Sequence, residues 1–452
     1  MASVVVGLGK TGASCLRYFA KHGIAAAATD SRRAPPGLAD LGPLAERLDL
    51  RLGGFDLSLL DGASQLLMSP GVPLDEPIAR AARARGIEVL GDIELFARAV
   101  RAPVIGITGT NGKSTVTALL ARMASAAGRR VLAGGNFGVP ALDLLDQPPP
   151  DLYVLELSSF QLETTSSLEL IGAVVLNVSA DHMDRYATVE EYAAAKSRIF
   201  EHAATIVLNA DDPRVALMGG AAAARTGVRP RTFYTPRSDT DYGLIRDGSE
   251  TLLARHGEGV LELSRMKITG RHNAANALAA LALGDAAGLP LTAMQSALES
   301  FPGLPHRSQW VADRAGVRYV DDSKGTNVGA TLAAVDGLEG PVVIIAGGAG
   351  KAQDFTPLAA AFRHKVRHVV LIGTDAPTIA RALGSACSTE RAASMAAAVA
   401  AAARAALPGD TVLLSPACAS LDMFRDYAQR GEAFAAAGRA LAEPSPPVSG
   451  AP

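Results

Sequence analysis

Short apolar runs recur along this chain, and each is followed by glycine or by a cluster of polar residues. The runs VVVG, VIGIT, LYVLE, GAVVLN, PVVIIAG and HVVLIG have the length and composition of buried strands. Segments between them, such as VTALLARMASAAG, have the apolar spacing of helices. Because strands that alternate with helices build mostly parallel sheets, the pattern predicts an α/β protein with its ligands at the carboxyl ends of the strands.

The length of the chain predicts several domains. A chain of 452 residues is too long for one hydrophobic core, and its length suggests about three domains. We place them at 1–95, 96–302 and 303–440, with 441–452 as a disordered tail. The segment ESFPGLPHRSQW supplies the prolines and glycine of a linker before the third domain.

The first domain contains a glycine turn. Gly7, Gly9 and Gly12 lie between its first strand and first helix, and Asp30 ends its second strand. This is the outline of a dinucleotide-binding half and, taken alone, would suggest a nicotinamide dehydrogenase. The same glycines also serve any other diphosphate, or close packing of a helix on a strand.

The second domain opens with a more informative turn, in VIGITGTNGKST. Backbone amides of a glycine turn and a helix N-terminus bind anionic oxygens, Lys113 adds a positive charge, and the hydroxyl of Ser114 or Thr115 can ligate Mg²⁺. The pattern G-x-x-x-x-G-K-[ST] would place glycine at position 107, where this chain has Ile107. The alternative is an ordinary turn with a surface lysine, but the order of strand, turn, Gly-Lys-Ser-Thr and helix favours a phosphate site.

Two further strands of the second domain bring candidate metal ligands. One ends in Glu156, and we predict that the strand in GAVVLNVSADH ends in Asp181 and His182. Each residue has a simpler explanation, a helix cap for the glutamate and a surface hydrogen bond for the histidine. Placed together on strand ends beside a phosphate turn, they predict a metal site instead.

Composition excludes several classes of protein. The formal charge is −2 without a long block of Lys or Arg, so the chain has no electrostatic signature of nucleic-acid binding. Cys15, Cys387 and Cys418 are far apart, lack metal-site spacing and are predicted to be buried in a protein of a reducing cytosol. No export signal and no apolar run long enough for a bilayer is visible. We therefore expect a soluble cytoplasmic protein without a membrane partner.

Several motifs together resemble a known family. GITGTNGKST, ELSSFQLE, NVSADHMDRY, AAAKSRIF, GRHNAANALAA, LPHRSQW, DDSKGTN and LSPACASLDMF occur in the order found in the ATP-dependent Mur ligases of peptidoglycan synthesis. The resemblance is greatest to the branch that adds D-glutamate to UDP-N-acetylmuramoyl-L-alanine. It implies a Rossmann-like domain for the UDP substrate, a central P-loop-type ATPase domain and a Rossmann-like amino-acid domain. It also implies an acyl-phosphate intermediate, ATP, two Mg²⁺ ions and a monomer.

The resemblance assigns binding residues by motif. The UDP substrate is expected at Gly9, Lys10, Thr11, Ser31, Arg32, Ser69 and Asn136. ATP is expected at Gly109, Thr110, Asn111, Gly112, Lys113, Ser114 and Thr115, with Asn273 and Asn276 near adenine, His306 and Arg307 at the nucleotide and Asp322 at the ribose. D-glutamate is expected at Lys324, Thr326, Lys351, Ser420, Leu421 and Tyr427. Lysines and hydroxyls suit a dicarboxylate.

It also assigns catalytic and metal-binding residues. The catalytic residues implied are Lys113, His182, Lys196 and Lys324, and the Mg²⁺ ligands implied are Ser114, Thr115, Glu156, His182 and Lys196. From the residues alone, Lys196 in EEYAAAKSRIF is most simply a solvated charge, although small and apolar neighbours suggest that it points inward. An ammonium beside Mg²⁺ is repelled, and the resemblance implies that Lys196 carries CO₂ as a carbamate.

Three alternatives remain open at this point. A nicotinamide dehydrogenase explains the first glycine turn but gives no role to Lys113 or Glu156. A non-catalytic module would bind ATP without forming a product. A sister ligase that adds another amino acid, or a folylpolyglutamate-type ligase, would share the central turn, but SADHMDRY and SPACASLDMF favour the D-glutamate branch.

Overall fold

The structure is a computed structural model that describes residues 2–234, 241–338 and 340–441. Its strands form three sheets, mostly parallel, with helices between successive strands, which confirms the predicted α/β class. Residues 442–452 of the predicted tail lie outside the described residues, so their disorder stays a prediction.

The first sheet is parallel throughout, in the order β3-β2-β1-β4-β5. Its elements are β1 (Ala2–Val6), α1 (Lys10–Lys21), β2 (Ala26–Asp30), α2 (Leu38–Leu41), β3 (Asp49–Leu52), β4 (Ala63–Met68), α3 (Pro77–Ala84), β5 (Glu88–Leu90) and α4 (Asp92–Ala99). Val4 and Val6 pack with Leu66, Met68 and Ile78 in a buried cluster. Aliphatic runs become central strands here because helices cover both faces of the sheet.

The second sheet has nine strands in the order β14-β13-β12-β11-β10-β9-β6-β8-β7. Its elements are β6 (Val104–Thr108), α5 (Lys113–Ala126), β7 (Val131–Gly135), α6 (Ala141–Leu144), β8 (Leu152–Glu156), α7 (Ser159–Leu162), β9 (Gly172–Val175), α8 (Val189–Ser197), β10 (Ile206–Asn209), α9 (Pro213–Thr226), β11 (Arg231–Tyr234), β12 (Tyr242–Asp247), β13 (Glu250–Arg255), β14 (Glu258–Glu262), α10 (Arg271–Ala286) and α11 (Leu291–Ser300). The antiparallel strands β12 to β14 were not predicted, although His256 and Gly257, at φ 52° and 82°, form the two-residue turn that such a hairpin needs.

The third sheet runs in the order β15-β16-β20-β17-β18-β19, and β15 is its antiparallel edge. Its elements are β15 (Gln309–Arg314), β16 (Val317–Asp321), α12 (Val328–Asp336), β17 (Val342–Gly347), α13 (Thr356–Phe362), β18 (Val366–Ile372), α14 (Ala376–Leu383), β19 (Ser388–Arg391), α15 (Met395–Ala405), β20 (Thr411–Leu414) and α16 (Tyr427–Ala440). The loops that follow β16, β17 and β20 leave from neighbouring strands and therefore lie at one edge of the sheet.

The described residues pack as two compact units. The first unit contains the first two sheets. The second unit contains the third sheet together with two excursions of the chain, Ser179–Val189 and Lys267–Ala274. The domain boundaries given from the sequence stay predictions.

Two expectations are corrected by the structure. Strand β9 ends at Val175 rather than at Asp181 and His182, because the backbone carbonyl of Asn177 accepts the amide of Thr110 at 2.9 Å and draws the chain over the turn after β6. Cys387 is only half-buried, whereas the other two cysteines are buried as predicted.

Candidate active site

The turn after β6 combines two left-handed glycines with a lysine that folds across it. Gly109 and Gly112 have φ of 148° and 85°, and a Cβ on Gly112 would lie 2.4 Å from Oδ1 of Asn276, so the turn requires glycine at that position. The Lys113 ammonium donates to the carbonyl oxygens of Gly109 at 2.9 Å and Thr110 at 2.8 Å. The turn thus joins a lysine to the N-terminus of a helix, which suits an oligophosphate.

Asn177 holds this turn in place, and sequence reasoning did not identify it. Its side-chain oxygen accepts the amide of Asn111 at 2.8 Å, and its side-chain nitrogen donates to the carbonyl of the same residue at 3.1 Å. An asparagine two residues beyond a buried strand was the available signal, since short polar side chains bond readily to nearby backbone.

Glu156 is the centre of a buried polar group beside the turn. Its Oε2 accepts the Ser114 hydroxyl at 2.6 Å, and its Oε1 accepts the side-chain amide of Asn136 at 2.6 Å. Ser114, Thr115 and Glu156 are all buried. Strands β8 and β6 are neighbours, which is why the glutamate at the end of one meets the helix that follows the other. Hydroxyl and carboxylate oxygens are ligands that Mg²⁺ prefers, so these residues fit such an ion.

Lys196 points into the protein, as its apolar neighbours suggested. It is 1% exposed, and its Nζ donates to the carbonyl of Gly109 at 3.0 Å. The same Nζ lies 4.3 Å from the centre of the Tyr192 ring. The end of α8 is thereby fixed to the first residue of the phosphate turn.

The predicted UDP-site residues of the first domain lie where β1, β2 and β4 end. Gly9 precedes α1, which begins at Lys10, and a Cβ on Gly12 would lie 2.0 Å from the carbonyl oxygen of Gly7. The Ser69 hydroxyl donates to that same carbonyl at 2.6 Å. Thr11 is half-buried and Ser31 is exposed. The amino end of α1 thus lies at the carboxyl end of β1, the edge of the sheet at which α/β proteins bind ligands.

Asp30 and Arg32, at the end of β2, form an ion pair beside the turn that follows β1. Asp30 accepts the amide of Leu8 at 2.6 Å and the Arg32 side chain at 2.8 Å and 2.7 Å. Burial acts to raise the pKa of the Asp30 carboxyl, but these hydrogen bonds outweigh burial and hold the pKa below its usual value. Arg32 therefore stays beside the turn with its guanidinium half-exposed.

In the second unit, the loops after β16, β17 and β20 carry the predicted amino-acid-binding residues. The Lys324 ammonium lies 4.0 Å from the centre of the Tyr427 ring. The Lys351 ammonium lies 3.5 Å from Oδ1 of Asp181. Ser420 is buried, whereas Leu421 next to it is 74% exposed. Two cations at one edge of this sheet suit an anionic ligand.

Asp181 lies beside one of the predicted amino-acid-binding residues, whereas sequence reasoning named it only as the end of a strand. Its buried carboxylate faces Lys351 and accepts the side-chain amide of Asn327 at 3.2 Å. Asn327 also caps α12 by accepting the amide of Ala330 at 2.8 Å. The signal for Asp181 was its place beside His182 in the SADHMDRY motif.

Hydrogen bonds to neighbouring residues hold three of the predicted nucleotide residues of the second unit, namely His306, Asp322 and Asn273. Nδ1 of His306 lies 2.7 Å from Oδ2 of Asp321, and Asp322 accepts the Ser415 hydroxyl at 2.8 Å. Burial raises the pKa of Asp322 to about 7, although the Ser415 and Ser308 hydrogen bonds and the nearby Arg307 lower it. The side-chain amide of Asn273 donates to the backbone carbonyl of Thr269, two residues before α10 begins, at 2.8 Å.

The predicted residues thus fall into two groups. In the first unit lie Gly9, Lys10, Thr11, Ser31, Arg32, Ser69, Gly109, Thr110, Asn111, Gly112, Lys113, Ser114, Thr115, Asn136, Glu156, Lys196 and Asn276. In the second unit lie His182, Asn273, His306, Arg307, Asp322, Lys324, Thr326, Lys351, Ser420, Leu421 and Tyr427. Across the described ranges, no group of three or more His, Cys, Asp or Glu side chains could hold a metal by itself.

Comparison with known proteins gives the family. The family models described as the MurD-like N-terminal domain, the Mur ligase middle domain and the Mur ligase glutamate ligase domain match residues 1–91, 107–284 and 306–418. The UDP-N-acetylmuramoylalanine--D-glutamate ligase of Nitrosococcus oceani is 54% identical over 447 residues, which cover 97% of this chain and 96% of that protein. The chain belongs to the Mur ligase family. A second ligase of that name, from Methylococcus capsulatus, is 51% identical over 97% of this chain and 95% of its own.

Solved structures of other Mur ligases share the fold. The UDP-N-acetylmuramate-alanine ligase of Thermotoga maritima has a TM-score of 0.61 at 20% identity and covers 96% of this chain and 98% of its own. MurF of Acinetobacter baumannii has a TM-score of 0.61 at 19% identity, over 84% of this chain and 86% of its own. Within the described residues, no helix is long and apolar enough to cross a membrane.

Proposed function

We propose that this chain is the ATP-dependent ligase that joins D-glutamate to UDP-N-acetylmuramoyl-L-alanine in peptidoglycan precursor synthesis. The name shared by relatives with about half of their residues identical to this chain supports the substrates. The observation that carries the chemistry is the phosphate turn with Lys113 folded across it, beside the buried Ser114 and Glu156 pair.

The reaction has two steps. The alanyl carboxylate of the UDP substrate attacks the γ-phosphorus of ATP, and the bond to ADP breaks, which gives an acyl phosphate. The uncharged amine of D-glutamate then attacks the acyl carbon, the carbon–oxygen bond to phosphate breaks, and the amine loses a proton. Lys113 and the amides of the turn hold the β- and γ-phosphates and stabilise the charge that develops on them.

Mur ligases use ATP and Mg²⁺. When bound, Mg²⁺ neutralises phosphate charge and orients the reacting oxygens. We place Ser114, Thr115 and Glu156 as ligands for one of two ions, and His182 and carbamylated Lys196 as ligands for the other. Asn136 orients the Glu156 carboxylate and contacts the substrate. The oxygen-rich, buried surroundings of Glu156 support this assignment.

To form a carbamate, the Lys196 ammonium first loses a proton, and its neutral amine then attacks CO₂ and loses a second proton. The cationic side chain thereby becomes an anionic oxygen ligand. Burial of Lys196 beside the phosphate turn supports this proposal, because it leaves the amine sheltered next to the site where an ion would bind. The competing role is an ammonium that only holds the carbonyl of Gly109. Carbon-13 NMR of enzyme in labelled bicarbonate separates the two, since a Lys196→Ala variant must lose the carbamate signal.

The other substrates have their own proposed sites. The UDP group binds at Gly9, Lys10, Thr11, Ser31, Arg32 and Ser69, and the nucleoside of ATP binds at Asn273, Asn276, His306, Arg307 and Asp322. D-glutamate binds at Lys324, Thr326, Lys351, Ser420, Leu421 and Tyr427, and Lys324 also assists the transfer. The two lysines at one sheet edge support a dicarboxylate. We further propose a cytoplasmic monomer with domains at 1–95, 96–302 and 303–440.

Phosphate release in an omission series tests the proposal. Phosphate should appear only when ATP, Mg²⁺, UDP-N-acetylmuramoyl-L-alanine and D-glutamate are all present. Release that is independent of the amino acid would indicate a simple ATPase, and binding without release would indicate a non-catalytic module. Binding of NAD(H) in place of ATP would support the dehydrogenase alternative.

A further inference from the structure

The side chain of Gln353 lies between three loops of the second unit, those that follow β16, β17 and β20. We call these the acid loop (322–327, after β16), the glycine loop (348–355, after β17) and the serine loop (415–426, after β20). Gln353 belongs to the glycine loop and is only 8% exposed. A polar side chain buried so deeply needs hydrogen-bond partners, and its partners come from all three loops.

The Gln353 amide makes four contacts with backbone atoms. Its Nε2 lies 2.9 Å from the carbonyl oxygen of Gly350, 3.3 Å from that of Ala417 and 3.5 Å from that of Thr326. Its Oε1 accepts the amide of Val328, in the first turn of α12, at 3.0 Å. A side-chain amide has two N–H donors and one acceptor oxygen. The three carbonyl contacts therefore share two N–H groups, and the longest of them, to Thr326, is the weakest.

The glycine loop requires such support. Lys351 and Ala352 have φ of 52° and 54°, in the left-handed region that residues with a Cβ seldom adopt. This conformation is strained and persists only where the surroundings enforce it. Both backbone groups of Gly350, the residue before this strained pair, are hydrogen-bonded. Its amide donates to Oδ2 of Asp375 at 2.7 Å, and its carbonyl accepts the side-chain amide of Gln353.

We infer that Gln353 is a positioning residue that sets the geometry of the amino-acid site. Its side-chain amide contacts the carbonyls of Gly350, which precedes Lys351, and of Thr326. It also contacts the carbonyl of Ala417, three residues before Ser420 in the serine loop. The three contacts hold cation and hydroxyl groups from separate loops at fixed spacing, as recognition of a dicarboxylate requires. This inference rests on the proposed function, because it assigns D-glutamate to these loops.

Kinetics of Gln353→Met and Gln353→Glu test the inference. Methionine fills the same space without hydrogen bonds, and glutamate at neutral pH keeps the acceptor for Val328 but loses both donors. Each variant should raise KM for D-glutamate by about tenfold or more. KM for the UDP substrate should stay within about twofold, since its proposed residues lie in the first unit and do not contact Gln353. An unchanged KM for D-glutamate, or an equal rise for both substrates, overturns the inference.

Gln295→Met is the matched control. Gln295 lies in the first unit and is half-buried. Its side-chain amide donates to the carbonyl of Val260 at 2.7 Å. Its replacement should leave KM for D-glutamate unchanged. A rise equal to that of the Gln353 variants would show that loss of any such amide perturbs the enzyme.

Hydrogen–deuterium exchange gives a readout that does not depend on the substrate. In Gln353→Met, exchange should rise together in peptides that cover the acid, glycine and serine loops, while peptides of the first unit stay unchanged. Unaltered exchange in these loops contradicts the positioning role. If the wild-type protein uses no D-glutamate, the proposed function fails, and exchange still decides whether Gln353 links the loops.

Discussion

Replacing Lys113 by alanine removes the positive charge from the phosphate turn. In the structure its ammonium bonds to the carbonyls of Gly109 and Thr110, so it lies above the turn, where the terminal phosphates of ATP would bind. The side chain is half-buried, and the two carbonyls can bond to water once it is gone. The change therefore acts on charge stabilisation far more than on folding.

The size of each effect can be estimated separately. A unit charge about 4 Å from a phosphate charge contributes about 4 kcal/mol at the effective dielectric constant of about 20 found near protein surfaces. Loss of that stabilisation in the transition state lowers turnover by about a thousandfold. The two lost hydrogen bonds cost about 1 kcal/mol of folding free energy or less, because they exchange for bonds to water.

Phosphate release at saturating substrates measures the first effect, and thermal or urea unfolding measures the second. Lys365→Ala is the matched control, since its ammonium donates to the carbonyl of Asp336 at 3.0 Å on the exposed surface of the second unit. It should keep full turnover. Near-native activity of Lys113→Ala, or a loss of turnover fully explained by unfolding, would refute the phosphate-site assignment.

Three further changes probe other parts of the account. Lys196→Ala should lose most activity and regain part of it with short carboxylic acids that fill the vacated space; full turnover of the variant and of bicarbonate-free enzyme would exclude the carbamate. Gly112→Ala should abolish ATP binding, because its Cβ would collide with Asn276. Gly128→Ala is the control, since Gly128 has φ of 75° but nothing within 4 Å of a Cβ, and it should show backbone strain alone. Calorimetry of ATP binding compares the two variants. Burial raises the pKa of Asp322 from 3.8 to about 7, so its carboxyl lowers stability as pH rises between those values, and Asp322→Asn should lose less stability over that range in urea unfolding; an identical pH dependence would count against the raised pKa.

The sequence predicted those features that depend on local pattern. Apolar runs followed by glycine or by polar residues predicted β1, β6, β8, β17 and β18, because a strand buried on both faces is apolar almost throughout. The turn at Lys113 and the position of Glu156 at a strand end followed from the same pattern. The hairpins β12 to β14 were missed because their alternating residues lack a long apolar run.

The features that depend on tertiary contacts could not be predicted. The end of β9 at Val175 is set by the bond between Asn177 and the phosphate turn, and the asparagine by itself does not indicate that its partner is Thr110, far earlier in the chain. In the sequence, nothing distinguishes Gln353 from an ordinary loop residue. Its role depends on contacts with the loops after β16 and β20, which only the fold brings together. Burial of Lys196 could be suggested from its neighbours, but its contact with Gly109 joins residues 87 positions apart.

Amino-acid specificity tests the central claim most directly. With ATP, Mg²⁺ and UDP-N-acetylmuramoyl-L-alanine held constant, phosphate release and the UDP-linked product are measured for D-glutamate, L-glutamate, L-alanine, L-lysine and meso-diaminopimelate. The account predicts release and a product one glutamyl residue heavier with D-glutamate, and background with the others. Equal release with L-glutamate or L-lysine, or none with D-glutamate, would contradict it.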